Sequence, residues 1–325
     1  MTANDQKRQR IFGRFSSNFS IVKREHLLLK EKQFPPGFEN AVICPLCMRL
    51  FNSQTLDQNH INPLTLEDVP PKSFGGKAKI LTCKKCNNTS GHKLDANLHL
   101  NFEQRPFFRM ELNSEYKFRN MILKNSKEAI RVSGKVIHFK DRGLYFKLNL
   151  NNNDWRYKKF VSIMNSGGDH EGLLDFTSPS ALSVETALLR IAYLTCFEKF
   201  GHAFVLNPAY DAIRHQIANP DEEILPIRGM GNPEGNTYPS GIYIIREPEN
   251  IRGLIVVFPL TSNKETILFP VILPSPFLEA KKFYADLKEY ASEVARFRGL
   301  DKFTDLDFVS DQFCFEILNM FRICE

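Results

Sequence analysis

The sequence predicts an α+β fold in two parts, a small cysteine-framed module followed by a larger domain with an antiparallel sheet. Three features predict it. Two Cys-x-x-Cys pairs, Cys44/Cys47 and Cys83/Cys86, bracket a stretch of 35 residues. Downstream, Lys135 to Phe139 and Leu144 to Leu150 alternate apolar with polar residues, the period of half-buried strands. Further on, Ala187, Leu188, Ile191, Ala192, Leu194 and Phe197 recur at helical spacing. With 325 residues the chain has room for two domains, at roughly 150 residues each.

In chain order, residues 1–40 read as a basic N-terminal arm carrying Lys7, Arg8, Arg10, Arg14, Lys23 and Arg24. The arm is expected to be partly helical, from Ile21 to Lys32, and to break at Phe34-Pro35-Pro36-Gly37. Residues 41–100 make the module, with Lys79 to Leu81 as a strand entering the second cysteine pair and Asn88 to Leu98 as a helix leaving it. Residues 101–325 make the larger α+β domain, whose first hairpin turns at Asp141-Arg142-Gly143. Ser183 is expected to cap the long apolar helix and Gly201 to stop it, with a more polar helix over Pro208 to Ile217. Strands follow at Gly241 to Ile245, Leu254 to Phe258 and Thr266 to Ile272, then a helix at Leu278 to Arg296.

Composition excludes some classes. At 42% hydrophobic and 25% charged the chain resembles ordinary globular proteins. Its apolar runs, such as Leu254 to Leu260, fall far short of the roughly 18 residues a membrane span needs. The polar N-terminus has no apolar leader segment, so a cytoplasmic, non-membrane protein is expected. Seven cysteines, four of them in matched pairs, suit a metal site better than a disulfide framework; Cys196, Cys314 and Cys324 read as small buried apolar residues.

Two Cys-x-x-Cys knuckles supply the four thiolates of a closed tetrahedral zinc site, and closing the loop between them would hold a segment too small for its own core. Around the knuckles the charge is one-sided. Residues 69–94 contain Lys72, Lys77, Lys79, Lys84, Lys85 and Lys93 and no acid, a pattern suited to nucleic-acid phosphates.

Between and after the knuckles stand Thr65-Leu66-Glu67-Asp68-Val69-Pro70-Pro71-Lys72-Ser73-Phe74-Gly75-Gly76 and Cys83-Lys84-Lys85-Cys86-Asn87. In order and spacing these resemble the HNH endonuclease family, whose module is a two-stranded hairpin and a helix gripping one catalytic metal. The resemblance covers about residues 41–95 and implies a ββα-metal module framed by structural Zn²⁺, with a catalytic Mg²⁺, Mn²⁺ or Ni²⁺. It also implies hydrolysis of phosphodiester bonds, with DNA as the expected substrate. By the same resemblance Asn87 is a metal ligand, and Asp68 stands where the family has its general-base His.

That departure leaves three readings open. Asp68 is a metal ligand with another residue as base, is itself the base, or marks a site that has kept binding and lost catalysis. On a helix Asn88, His92 and Asp95 project from one face, which makes His92 the candidate base or second ligand and Asn88 a further metal candidate. His60 is a weaker candidate base. Glu67, also a metal candidate, alternates to the opposite side of a strand from Asp68, so at most one of the two meets the metal; Asp68 is preferred. The sequence points to no particular protein partner or homodimer, and it assigns residues 101–325 no role beyond recognition of a target or partner.

Overall fold

The N-terminal basic segment is a core helix. In a computed structural model of the protein, helix α1 (Ala3–Glu25) buries Ile11, Phe12, Phe15, Phe19 and Val22. Their spacing places one apolar stripe on the helix, and each fully buried Phe contributes roughly 1.5–3 kcal/mol. A reciprocal cap opens it: Thr2 N donates to Asp5 Oδ2 at 2.7 Å and Asp5 N to Thr2 Oγ1 at 3.2 Å. The helix thus starts well before the expected Ile21. The structure describes residues 2–25, 36–140, 143–227 except 168 and 177, 238–292 except 246, 263, 264 and 277, and 301, 302 and 309. The rest of the expected helix to Lys32, residues 141 and 142 of the expected hairpin turn, and Cys314 and Cys324 lie outside these.

Strands β1 (Ala41–Ile43) and β2 (Leu50–Asn52) flank the first knuckle as an antiparallel pair. Strands β3 (Leu64–Val69) and β4 (Lys77–Cys83) form a second antiparallel hairpin, from Leu64 opposite Cys83 to Val69 opposite Lys77. Its turn needs glycine. Gly75 has φ +81°, and a Cβ on Gly76 would lie 1.5 Å from the Pro70 carbonyl oxygen. Helix α2 (Lys84–Ser90) leaves the second knuckle, passes through a π-helical turn at Gly91–Asp95 and continues as α3 (Ala96–Phe108).

Two compact units result, residues 1–98 with 180–325, and residues 99–179. The boundary expected near residue 100, with residues 101–325 kept together, is therefore not the observed one. The physical reason is the long helix after residue 180, whose apolar surface packs with the module.

The unit 99–179 is a four-stranded antiparallel sheet in the order β7-β6-β5-β8, from β5 (Glu115–Lys124), β6 (Ala129–Phe139), β7 (Gly143–Leu148) and β8 (Glu171–Leu174). Helix α4 (Trp155–Asn165), capped by Asp154, contributes Ile163 to a core with Phe107, Tyr116, Phe118, Met121, Ile130, Val132 and Val136.

Residues 180–325 return to the first unit. Helix α5 (Ala181–Phe200) buries 15 of its 20 residues, so it is apolar nearly all round. Its N-cap is Ser180 rather than Ser183, which lies buried one turn inside; Gly201, at φ 70°, ends it as expected. Short helices α6 (His202–Val205) and α7 (Asp211–Ala218) follow. A second antiparallel sheet orders β11-β10-β9-β12, from β9 (Gly241–Ile245), β10 (Gly253–Thr261), β11 (Thr266–Pro274) and β12 (Asp301–Lys302), with helix α8 (Ala280–Ser292). The α+β class stands. Among the described residues no helix is long and apolar enough to cross a membrane.

Candidate functional site

The four knuckle cysteines meet. Their sulfur atoms all lie within 4.8 Å of one another, and Cys47 Sγ is 3.8 Å from Cys83 Sγ. Four sulfurs at about 2.3 Å from a tetrahedral zinc stand about 3.8 Å apart, so the cluster fits such an ion. Local backbone makes the first knuckle: Met48 N donates to Cys44 O and Cys44 N to Arg49 O, both at 2.9 Å, with Met48 at φ 58°. Cys83 N donates to Cys44 Sγ at 3.5 Å, tying the knuckles together. The four sulfurs hydrogen-bond to one another, which lowers the Cys47 and Cys83 thiols and raises those of Cys44 and Cys86, so the case for a metal rests on the spacing of the sulfurs. Among the described residues this is the only group of His, Cys, Asp or Glu side chains crowded closely enough to hold a metal ion.

The first knuckle is also held from behind. Tyr193 on α5 donates its hydroxyl hydrogen to Pro45 O at 2.8 Å, and Arg214 Nη1 donates to that hydroxyl at 3.1 Å. Burial pushes the Tyr193 phenol up to about 12, so it remains a donor. Ile43, next to Cys44, donates its N–H to His202 Nε2 at 3.1 Å. Because Nε2 accepts, Nδ1 carries the hydrogen and donates to Asn18 Oδ1 at 3.0 Å. His202 is fully buried among the rings of Phe15, Phe19 and Phe197, and desolvation lowers its pKa to about 3.

A β-bulge between Glu67 and Asp68 turns these carboxylates to different surroundings. Asp68 stays half exposed near the turn end of the hairpin, opposite Ala78, where burial raises its pKa against the pull of Lys7 and Lys72. Glu67 is 3% exposed and turns inward. There it accepts from Thr82 Oγ1 at 2.8 Å and forms an ion pair with Arg190 Nη2. Arg190 Nη1 also holds Asp95 Oδ1 at 2.8 Å. Desolvation, stronger than the attraction of Arg190, raises the pKa of both acids.

Asn87 clamps the strand that carries both acids, its Nδ2 donating to Thr65 Oγ1 and Leu66 O at 3.0 Å each. Asn88 and His92 are exposed on the next turns. Asp95, expected on their face, is turned onto Arg190 instead, because the π-helical turn changes the angular spacing after Ser90. His60 is exposed in the loop before β3.

Lys72, Lys77, Lys79, Lys84, Lys85 and Lys93 are all exposed; Lys79 pairs with Glu198 at 3.2 Å and Lys93 with Asp221 at 3.4 Å. Arg190 is a site residue beyond those expected from the motif. The available signal was a lone arginine inside an apolar helix, which calls for a carboxylate partner. Compared with known proteins, the chain matches no family model, no curated protein and no solved structure.

Proposed function

We propose that the protein hydrolyses phosphodiester bonds of nucleic acid, with DNA as its expected substrate, at the surface around Asp68 and the start of the helix after the second knuckle. One observation carries the reading: the Asn87 side chain bonds the strand of Asp68 to that helix, directly beside the four-cysteine cluster. A hairpin, a helix and a metal frame in this arrangement support the HNH-like assignment suggested by the motif.

A divalent ion would stabilise charge on the scissile phosphate and ease ionisation of the attacking water. No three acidic or histidine side chains converge near Asp68 among the described residues, so the protein offers no ready cage for such an ion. Mg²⁺ commonly takes one or two protein carboxylates together with substrate phosphates, a demand Asp68 can meet in part. In this reading Asp68 holds the ion or takes the proton, His92 is the other candidate base, Asn87 positions the strand, and Lys72, Lys84 and Lys85 lie where phosphates would pass.

The pairing of Glu67 with Arg190 favours a second reading, nucleic-acid binding without cleavage, because it occupies one of the two acids of the motif with an internal cation. A plasmid-nicking assay with Mg²⁺, Mn²⁺ or Ni²⁺ separates the two. Nicking lost in Asp68→Ala or His92→Ala supports hydrolysis. Salt-sensitive binding with no nicking under any of the metals supports the second reading.

A further inference from the structure

The 81 residues of the unit 99–179 hold 14 Lys and Arg against 9 Asp and Glu, which is +5 of the chain's formal +6. The two faces of their sheet differ. Tyr116, Phe118, Met121, Ile130, Val132 and Val136 turn to the core. On the opposite face the register sets Lys117 across from Lys135, and Lys135 across from Lys147. Three lysines therefore stand in one row over three neighbouring strands, spanning about 10 Å at the usual strand spacing. The adjoining row is Glu115, Ile137 and Tyr145. Tyr145 is 50% exposed, with the Phe139 ring edge-on at 6.1 Å.

This row works against folding. Like charges directly across a sheet are destabilising, and the ion pair of Lys135 with Glu115 leaves Lys117 and Lys147 exposed on either side. Arg131, which faces Ile122 in the register, and Arg119 add exposed positive charge on the same two strands. Positive charge in a line beside an exposed ring complements a chain of phosphates whose bases are free to stack. A duplex hides the faces of its bases, so an exposed ring beside the lysine row favours a single strand over a duplex.

We propose that the open face of this sheet binds single-stranded nucleic acid, its phosphates along Lys117, Lys135 and Lys147 and a base stacked on Tyr145. This surface belongs to the unit 99–179 and the hairpin of Asp68 to the other unit, and the proposal holds whether or not that hairpin cleaves.

The test is fluorescence anisotropy with the full chain in the absence of divalent metal, using labelled oligo-dT and oligo-rU of about 12 nucleotides, a duplex of the same length, and polyglutamate as competitor. The single strands should bind more tightly than the duplex. Lys117→Gln/Lys135→Gln/Lys147→Gln should weaken binding at least tenfold and reduce the salt slope by about two, at roughly 0.7 per phosphate contact in single strands. Tyr145→Ala should weaken it about fivefold or more with the salt slope unchanged. The dT and rU arms report whether a 2′-hydroxyl contributes. A triple variant that binds within twofold of wild type overturns the proposal, as does loss of binding only in Lys84→Gln/Lys85→Gln. Polyglutamate competing as well as the oligonucleotide, with Tyr145→Ala silent, overturns it in favour of an acidic protein partner. Thermal melts of each variant distinguish lost binding from lost folding, and absence of plasmid nicking leaves these readouts untouched.

Discussion

Arg190 and Glu67, 123 residues apart, form a buried ion pair at 1% and 4% side-chain exposure, and Asp95 shares the same guanidinium. The pair joins the hairpin between the knuckles to the middle of the long helix α5. It also fixes which acid of the Glu67-Asp68 motif remains at the surface.

Arg190→Met should therefore be severely destabilising. It strands the buried Glu67 carboxylate and the partly buried Asp95, at a cost of about 3–5 kcal/mol. Glu67→Gln in the same chain should recover part of this, and a double-mutant cycle in urea should give a coupling above about 1 kcal/mol. Additive effects would show that the pair does not hold the hairpin.

Metal removal should destabilise the unit of residues 1–98 and 180–325, which contains the module. Cys83→Ser, or a strong chelator, should release about one equivalent of zinc and lower the melting temperature. Atomic emission and calorimetry read both. A protein that purifies without metal and melts unchanged with chelator would rule out a structural role for the cluster.

His202 should make stability acid-sensitive. The folded protein keeps it neutral, with its pKa lowered to about 3 by burial, whereas the unfolded chain protonates it near 6.5. Its contribution is present above about pH 6.5 and is lost as pH falls from there toward 3, at up to about 1.4 kcal/mol per unit. Glu67 and Asp95, raised by burial, pull in the opposite direction over the lower part of that window. Subtracting the pH dependence of His202→Gln isolates the histidine; identical slopes would contradict its buried neutral state.

Glycine substitutions should divide sharply. Gly76→Ala drives a methyl onto the Pro70 carbonyl and should destabilise by on the order of 2 kcal/mol or more. Gly13→Ala, in α1 with nothing within 4 Å of the new carbon, should stabilise by about 0.5–1 kcal/mol. Equilibrium unfolding of the two variants checks both signs.

The local parts of this fold were legible because they are written locally. Matched Cys-x-x-Cys spacing marks the knuckles, alternation marks the hairpin of β6 and β7, short apolar runs mark β9, β10 and β11, and Gly201 marks the end of α5. Nonlocal facts were not. The stripe of Ile11, Phe15 and Phe19 lies among enough basic residues to read as an arm, and only its packing in the first unit shows it as core. The partnership of Glu67, Asp95 and Arg190 joins three distant segments, so no spacing rule reveals it. Asp95 departs from its expected face because helical spacing assumes a regular helix, and the π-helical turn breaks that assumption.

The most direct test of the central claim is the metal-dependent rate of plasmid nicking by zinc-loaded wild type beside Asp68→Asn of equal melting temperature. Wild type should nick the plasmid, and the variant should be slower by at least about a hundredfold, in the range expected for loss of a general base or metal ligand. Equal rates in the two proteins, or no nicking by wild type with Mg²⁺, Mn²⁺ or Ni²⁺, would contradict it.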